Sequence, residues 1–274
     1  MLGAIAGDII GSPYEFSRDR ELAHSKKFPL IRDISHITDD SVMTLAVADA
    51  LMKTFPEKGN VNHESESKFT FQVIKSMQEF GNKYPYASYG KEFIRWLASR
   101  NPQPYNSSGN GSAMRVSPVA WAFEDLAVVE RFAELSSSVS HDNPEAIRGA
   151  KAVSSAVFMA RTGKSKREIE EYICQTYYYD LSRSLDDIRP GFSHIEIAQF
   201  TVPEALTAFL ESSGFEDTAR NAVSLSGDAD TITAIACSVA EAFYGIPDEI
   251  TSMFVPKLDD NLRSVLERFD EWRA

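Results

Sequence analysis

Two segments, VMTLAVADALM at 42–52 and ITAIACSVAEAFY at 232–244, place apolar side chains around most of a helix circumference. A helix with one apolar stripe lies on a surface, whereas one that is apolar on nearly every side must be enclosed by other elements. Any fold open to this chain therefore has at least two central helices with further structure packed around them.

The surrounding material is also helical. Apolar residues recur at helical spacing over 40–54, 66–80, 90–99, 112–123, 125–138, 143–162, 166–176, 203–212, 215–225, 230–245 and 257–272, and no stretch alternates as a convincing strand. Pro144 stands early in one such segment and Gly163 just past its end, the usual punctuation of a helix. The loops YNSSGNGSA (105–113) and DIRPGFSH (187–194) are rich in Gly, Asn, Ser and Pro, but no repeat, long linker or domain break interrupts the pattern. The expected fold is all-α, a single compact multi-helix domain over 1–274.

A net charge of -12 without a basic patch argues against a nucleic-acid surface. Cys174 and Cys237, the two cysteines, sit far apart in helical segments and read as reduced packing thiols, which points to a cytoplasmic protein. The apolar N-terminal run lacks a basic leader and carries Asp8, so neither a signal peptide nor a membrane span is expected. A monomer is the working expectation.

Each enclosed helix is preceded by acid: Thr38, Asp39 and Asp40 before the first, SGDADT (226–231) before the second. Asp, Ser and Thr commonly cap helix N-termini, and the pairs Asp186–Asp187 and Asp259–Asp260 read as solvated or capping residues on that ground. One cap needs one carboxylate, however. Four aspartates at the mouths of two buried helices, with no Lys or Arg inside either motif, would leave several anions poorly solvated unless a cation joins them. Oxygen ligands suit Mg²⁺, Mn²⁺ or Ca²⁺, and the five histidines show no close HxxxH spacing for zinc. On spacing alone, capping and metal binding both stand.

The segments GAIAGDIIGSPYEF (3–16), ITDDSVM (37–43), GNGSAMRVSPVAW (109–121), SHDNPEAIRGA (140–150) and SGDADTITAIACSVAEAFYG (226–245) together resemble the ADP-ribosylglycohydrolases. That family includes bacterial enzymes that remove ADP-ribose from nitrogenase reductase and eukaryotic ADP-ribosyl hydrolases. The resemblance runs the length of the chain and implies an all-α fold with two divalent cations, Mg²⁺ or Mn²⁺. The ligands it implies are Thr38, Asp39, Asp40, Asp228, Asp230 and Thr231, with Asp39 and Asp40 also serving catalysis. Two such ions orient the ribose diol and polarise an attacking water.

Glu15 closes the GDxxGxxxE motif, where the resemblance implies a ligand, gate or acid/base group, while Asp8 reads as a structural hydrogen-bonding residue. Ser107, Ser108, Gly109, Asn110 and Gly111 are the implied ADP-ribose contacts, with Met114 packing nearby and His141 close to the ligand. Backbone N–H groups of this loop, leading into a helix N-terminus, would hold the diphosphate without a positive charge. Ser226 and Ala229 depart from some relatives, which have Gly before GD and Ser or Thr between the aspartates; neither change removes a ligand. Ser108 stands near where another relative has an aromatic residue on the nucleotide.

The implied activity is hydrolysis of the bond between ADP-ribose and an acceptor, foremost an arginine guanidino nitrogen, on protein or a small-molecule conjugate. Two alternatives are an oxygen-linked acceptor, as in ADP-ribosyl-serine or O-acetyl-ADP-ribose, and a non-catalytic ADP-ribose binder or structural relative. Loops 55–65 and 180–200 are the expected selectors of the acceptor.

Overall fold

The computed structural model describes residues 1–16, 23–56, 61–192 and 196–274. In chain order the helices are α1 (Leu2–Gly11), α2 (Asp39–Thr54), α3 (His63–Lys83), α4 (Lys91–Ala98), α5 (Gly111–Met114), α6 (Ser117–Ala122), α7 (Leu126–Ser138) and α8 (Pro144–Arg161). They continue as α9 (Lys166–Tyr177), α10 (Leu185–Ile188), α11 (Ala198–Leu210), α12 (Phe215–Ser224), α13 (Ala229–Tyr244), α14 (Asp248–Phe254) and α15 (Asp260–Arg273), with 3₁₀ turns at Ser12–Tyr14 and Val255–Lys257. Among the described residues there is no strand, only an isolated bridge between Gly109 and Ile197. The all-α expectation holds.

The two helices that had to be enclosed are enclosed: α2 is buried from Asp40 through Leu51 and α13 from Ala229 through Ala240. Around them pack α3 and α15 against α2, and α1, α8, α11 and α12 against α13. The contact between α1 and α13 is backbone against backbone. Gly3, Gly7 and Gly11 recur every four residues on one face of α1, and a Cβ at each would collide with Cys237 O, Thr233 O and Ala229 O of α13 respectively. Only glycine permits this approach, and it sets the residues that follow α1 beside the start of α13.

Helical spacing does not mark α1, although the motif around Asp8 reads as an apolar helix, which α1 is. Three expectations are corrected. The segment 112–123 is two helices, α5 and α6, parted at Arg115–Val116, with Pro118 in the first turn of α6. The helix expected from 203 begins at Ala198 and carries Pro203 in its interior. Part of the expected 187–194 loop belongs to α10, and residues 193–195 lie outside the described residues. The other acidic pairs are caps as expected: Asp259 accepts from Leu262 N at 2.9 Å, and Asp187 answers Ser184 in a reciprocal cap. Both cysteines are free, and no described helix is long and apolar enough to cross a membrane.

Candidate functional site

The starts of α2 and α13 meet at one cavity. Thr38 caps α2, its hydroxyl oxygen accepting from Asp40 N at 3.3 Å. Asp8 of α1 fastens this end, accepting from Thr38 N at 2.9 Å, Thr38 Oγ1 at 2.8 Å and Ser41 N at 3.0 Å. Asp8 thus takes the structural part expected of it. It joins α1 to the start of α2, some thirty residues further along the chain.

At α13 the carboxylate does not behave as a cap. Asp228 occupies the N-cap position yet makes no side-chain capping bond; its Oδ2 instead accepts from Asn110 Nδ2 at 2.6 Å. Asp230 Oδ1 accepts from Thr231 N at 2.9 Å, and Thr231 Oγ1 donates to Asp40 Oδ2 at 3.0 Å, linking the two helix mouths. One carboxylate oxygen each from Glu15, Asp228 and Asp230 lies within 4.8 Å of the others. Glu15 is brought there by the turn after α1, where Phe16 N donates to Gly227 O at 2.7 Å.

Electrostatics crowd negative charge into the cluster. Burial, then the charges of Asp8 and neighbouring carboxylates, pushes Asp39 and Asp40 well above the usual carboxylate range. Burial and Asp228 do the same to Asp230, and burial raises Asp228 itself against the pull of Asn110. Glu15 is raised by burial, then by Asp228, Asp8 and Glu196. Asp40 Oδ1 is buried with no hydrogen-bond partner among the described residues. Clustered oxygen donors, an orphaned carboxylate oxygen and mutual repulsion are what a hard divalent cation would satisfy, so the residues fit one.

The cavity, of about 890 Å³, is lined by this carboxylate group and by Ser107–Gly111, Met114, Arg115 and His141, the two joined where Asn110 bonds Asp228. The Ser107–Gly111 loop is fastened along the residues before α11: Asn110 N donates to Glu196 O at 3.0 Å and Ala198 N to Ser108 O at 3.0 Å. Gly109 N donates to Ser107 Oγ at 3.2 Å. Two of the backbone donors expected for a diphosphate are thereby used within the protein, and the helix they lead into, α5, is a single turn. Fewer backbone donors of the loop are therefore left for the expected cradle. The wall also holds Arg115, a buried guanidinium that the sequence reading missed, 5.7 Å over the Phe93 ring. Its Nη2 donates to neutral groups, Ser136 O at 3.2 Å and Ser140 Oγ at 2.9 Å. Burial brings it down to about 10, so it stays cationic at neutral pH.

Of the expected site residues, Glu15, Asp39, Ser107, Ser108, Gly109, Asn110, Gly111, Met114, His141, Asp228, Asp230 and Thr231 line the cavity; Thr38 and Asp40 stand behind it. Of the expected acceptor loops, Glu196 reaches the cavity, whereas Phe55 is core and 57–60 lie outside the described residues.

The sequence model of the ADP-ribosylglycohydrolase family matches residues 1–273. The chain belongs to the ADP-ribosylglycohydrolase family. It is 26% identical over 270 residues to ADP-ribosylarginine hydrolase Tri1 of Pseudomonas putida (strain GB-1), covering 90% of this chain and 70% of that protein. It is 24% identical over 325 residues to ADP-ribosylhydrolase ARH3 of Homo sapiens, covering 90% and 84%. A solved ADP-ribosylglycohydrolase-related protein complex has the same fold, with a TM-score of 0.70 at 21% identity over 100% of this chain and 96% of that one. As a member of this family the protein is a hydrolase of ADP-ribosylated substrates.

Proposed function

We propose that the protein cleaves the glycosidic bond between ADP-ribose C1'' and the guanidino nitrogen of an ADP-ribosylated arginine. The observation that carries this reading is the make-up of the cavity, which is lined both by the clustered carboxylates of Glu15, Asp228 and Asp230 and by the buried guanidinium of Arg115 with the Ser107–Gly111 loop. A diphosphate suits the guanidinium and the loop, and the scissile ribose suits the carboxylates. Glu92 and Glu196, which also line the cavity, favour a cationic acceptor over a neutral or acidic one. The relative named for ADP-ribosylarginine supports the same choice.

Asp39, Asp40, Asp228, Asp230 and the hydroxyls of Thr38 and Thr231 would hold Mg²⁺ or Mn²⁺, two ions on the family resemblance. When bound, the cations supply positive charge that orients the ribose hydroxyls and acidifies water. In the reaction water oxygen bonds to C1'', the C1''–N bond breaks with positive charge developing on the ribose ring, and the departing nitrogen gains a proton. Glu15 lies beside Asp228 and Asp230, and its raised affinity for protons suits its carboxyl to proton transfer at that nitrogen. Asn110 fixes Asp228 through its amide, and Thr231 does so for Asp40.

Arginine-, serine- and acetyl-linked ADP-ribose assayed side by side, with Mn²⁺ and with EDTA, test the reading. Release from the arginine linkage that EDTA abolishes is the expected result. Turnover of oxygen-linked substrates alone would overturn the acceptor assignment, and tight ADP-ribose binding without turnover would make the protein a binder.

A further inference from the structure

The cavity wall contains a hydrogen-bond chain that runs from Arg115 through Ser140 to His141. Arg115 Nη2 donates to Ser140 Oγ at 2.9 Å, and Ser140 Oγ lies 2.8 Å from His141 Nδ1. A guanidinium can only donate, so the serine oxygen accepts from it and keeps its own proton to give. The acceptor within reach of that proton is His141 Nδ1. The residue is held in place around the ring: His141 N donates to Ser137 O at 2.8 Å and Ser137 Oγ to His141 O at 2.8 Å, and the imidazole lies 5.7 Å from the Tyr105 ring and 6.2 Å from that of Phe93. Burial and the Arg115 charge hold the imidazole well below its usual range, so it is neutral. A neutral ring accepting at Nδ1 carries its proton on Nε2. Nε2 faces the phosphate-side loop, close enough that a Cβ on Gly111 would stand 3.0 Å away and one on Gly109 3.6 Å away.

We propose that Arg115 and Ser140 are positioning residues that fix His141 as an Nε2–H donor aimed at the diphosphate of the bound ligand. The proposal rests on the ADP-ribose reading of the cavity. It also explains how the wall recognises phosphate although Asn110 N–H and Gly109 N–H are already engaged: the neutral imidazole supplies a directed donor, and the buried guanidinium behind it supplies the charge.

The test joins ¹⁵N NMR of histidine-labelled protein with ADP-ribose titration of wild type, Ser140→Ala and Ser140→Thr. In wild type His141 should show the Nε2–H tautomer without ligand. Ser140→Ala should shift its tautomer signature and weaken ADP-ribose binding about tenfold, the scale of one directed hydrogen bond, while adenosine, which lacks the diphosphate, binds as before. Ser140→Thr should restore both. A wild-type proton on Nδ1 overturns the proposal even if no variant folds, as does an unchanged tautomer in Ser140→Ala or an equal loss for adenosine. Failure of wild type to bind ADP-ribose would instead refute the reading of the cavity, and the tautomer spectrum stands apart from that result.

Discussion

Replacing Asp230 with Asn separates a metal cage from a pair of helix caps. Carboxylate oxygens of Glu15, Asp228 and Asp230 lie within 4.8 Å of one another, and two full charges at that separation repel by about 3.5 kcal/mol at an effective dielectric of about 20. The cluster escapes part of this by taking up protons, as the raised carboxyls show, so about 1–2 kcal/mol should remain to be relieved at neutral pH. Asn keeps an oxygen for Thr231 N, the one hydrogen bond that Asp230 accepts at 2.9 Å. With about 2–4 °C gained for each kcal/mol, Asp230→Asn in EDTA should melt about 3–5 °C above wild type while losing hydrolysis. The pH dependence has a definite sign. Carboxyls raised in the folded state stabilise below their unfolded range and cease to as pH climbs through the folded value, so wild type in EDTA should lose stability as pH rises above about 4. The variant should fall less. Excess Mn²⁺ should stabilise wild type strongly and the variant weakly. Melting scans decide it: a lower melting temperature for the variant in EDTA, or an equal Mn²⁺ shift in both proteins, refutes the cage.

Three further outcomes are expected. Glu15→Gln should lower kcat about a hundredfold or more with ADP-ribose affinity little changed, and steady-state kinetics beside ligand titration would expose an error if turnover survives. Gly111→Ala should weaken ADP-ribose binding more than Gly109→Ala, because the new Cβ meets His141 Nε2 at 3.0 Å in the first case and the movable Ser107 Oγ at 3.1 Å in the second; calorimetry giving the reverse order would contradict this. Ser226 has φ 64° and a buried hydroxyl without a partner among the described residues. Ser226→Gly should therefore raise the melting temperature by a few degrees, since relief of about 1–2 kcal/mol of left-handed strain outweighs the roughly 0.5–1 kcal/mol entropy cost of glycine. A fall would refute the strain argument.

The enclosed helices were legible because a helix apolar on all sides has one destination. What the periodicity could not show was α1. Glycine costs about 1 kcal/mol in a helix interior, so three glycines in ten residues speak against a helix until the backbone of α13 is seen lying against them. The spacing Gly3, Gly7, Gly11 was the available signal. Similarly Pro118 marked a new helix start that uninterrupted apolar spacing concealed, while Pro203 was the opposite trap, sitting inside a helix whose packed neighbours tolerate it.

The acidic motifs were legible as a pair, and the structure shows why a single DD is uninformative. Asp187 and Asp259 spend their oxygens on backbone N–H groups at their own helix starts, as a cap must. Asp228 holds the same position on α13 and turns its oxygen away, to an amide 118 residues distant. The same side chain at the same helical position is thus a cap where backbone donors are its best partners and a site residue where the fold draws other carboxylates around it. That difference is tertiary. Arg115 and Ser140 were hidden for the same reason: each is ordinary in sequence, and their meaning lies in a chain of bonds through His141 that forms only once α5, α7 and the turn after α7 share one wall. Net charge does not report where single charges fall, and here a buried guanidinium lines the same cavity as the carboxylates, so an acidic chain is not thereby barred from holding an anion.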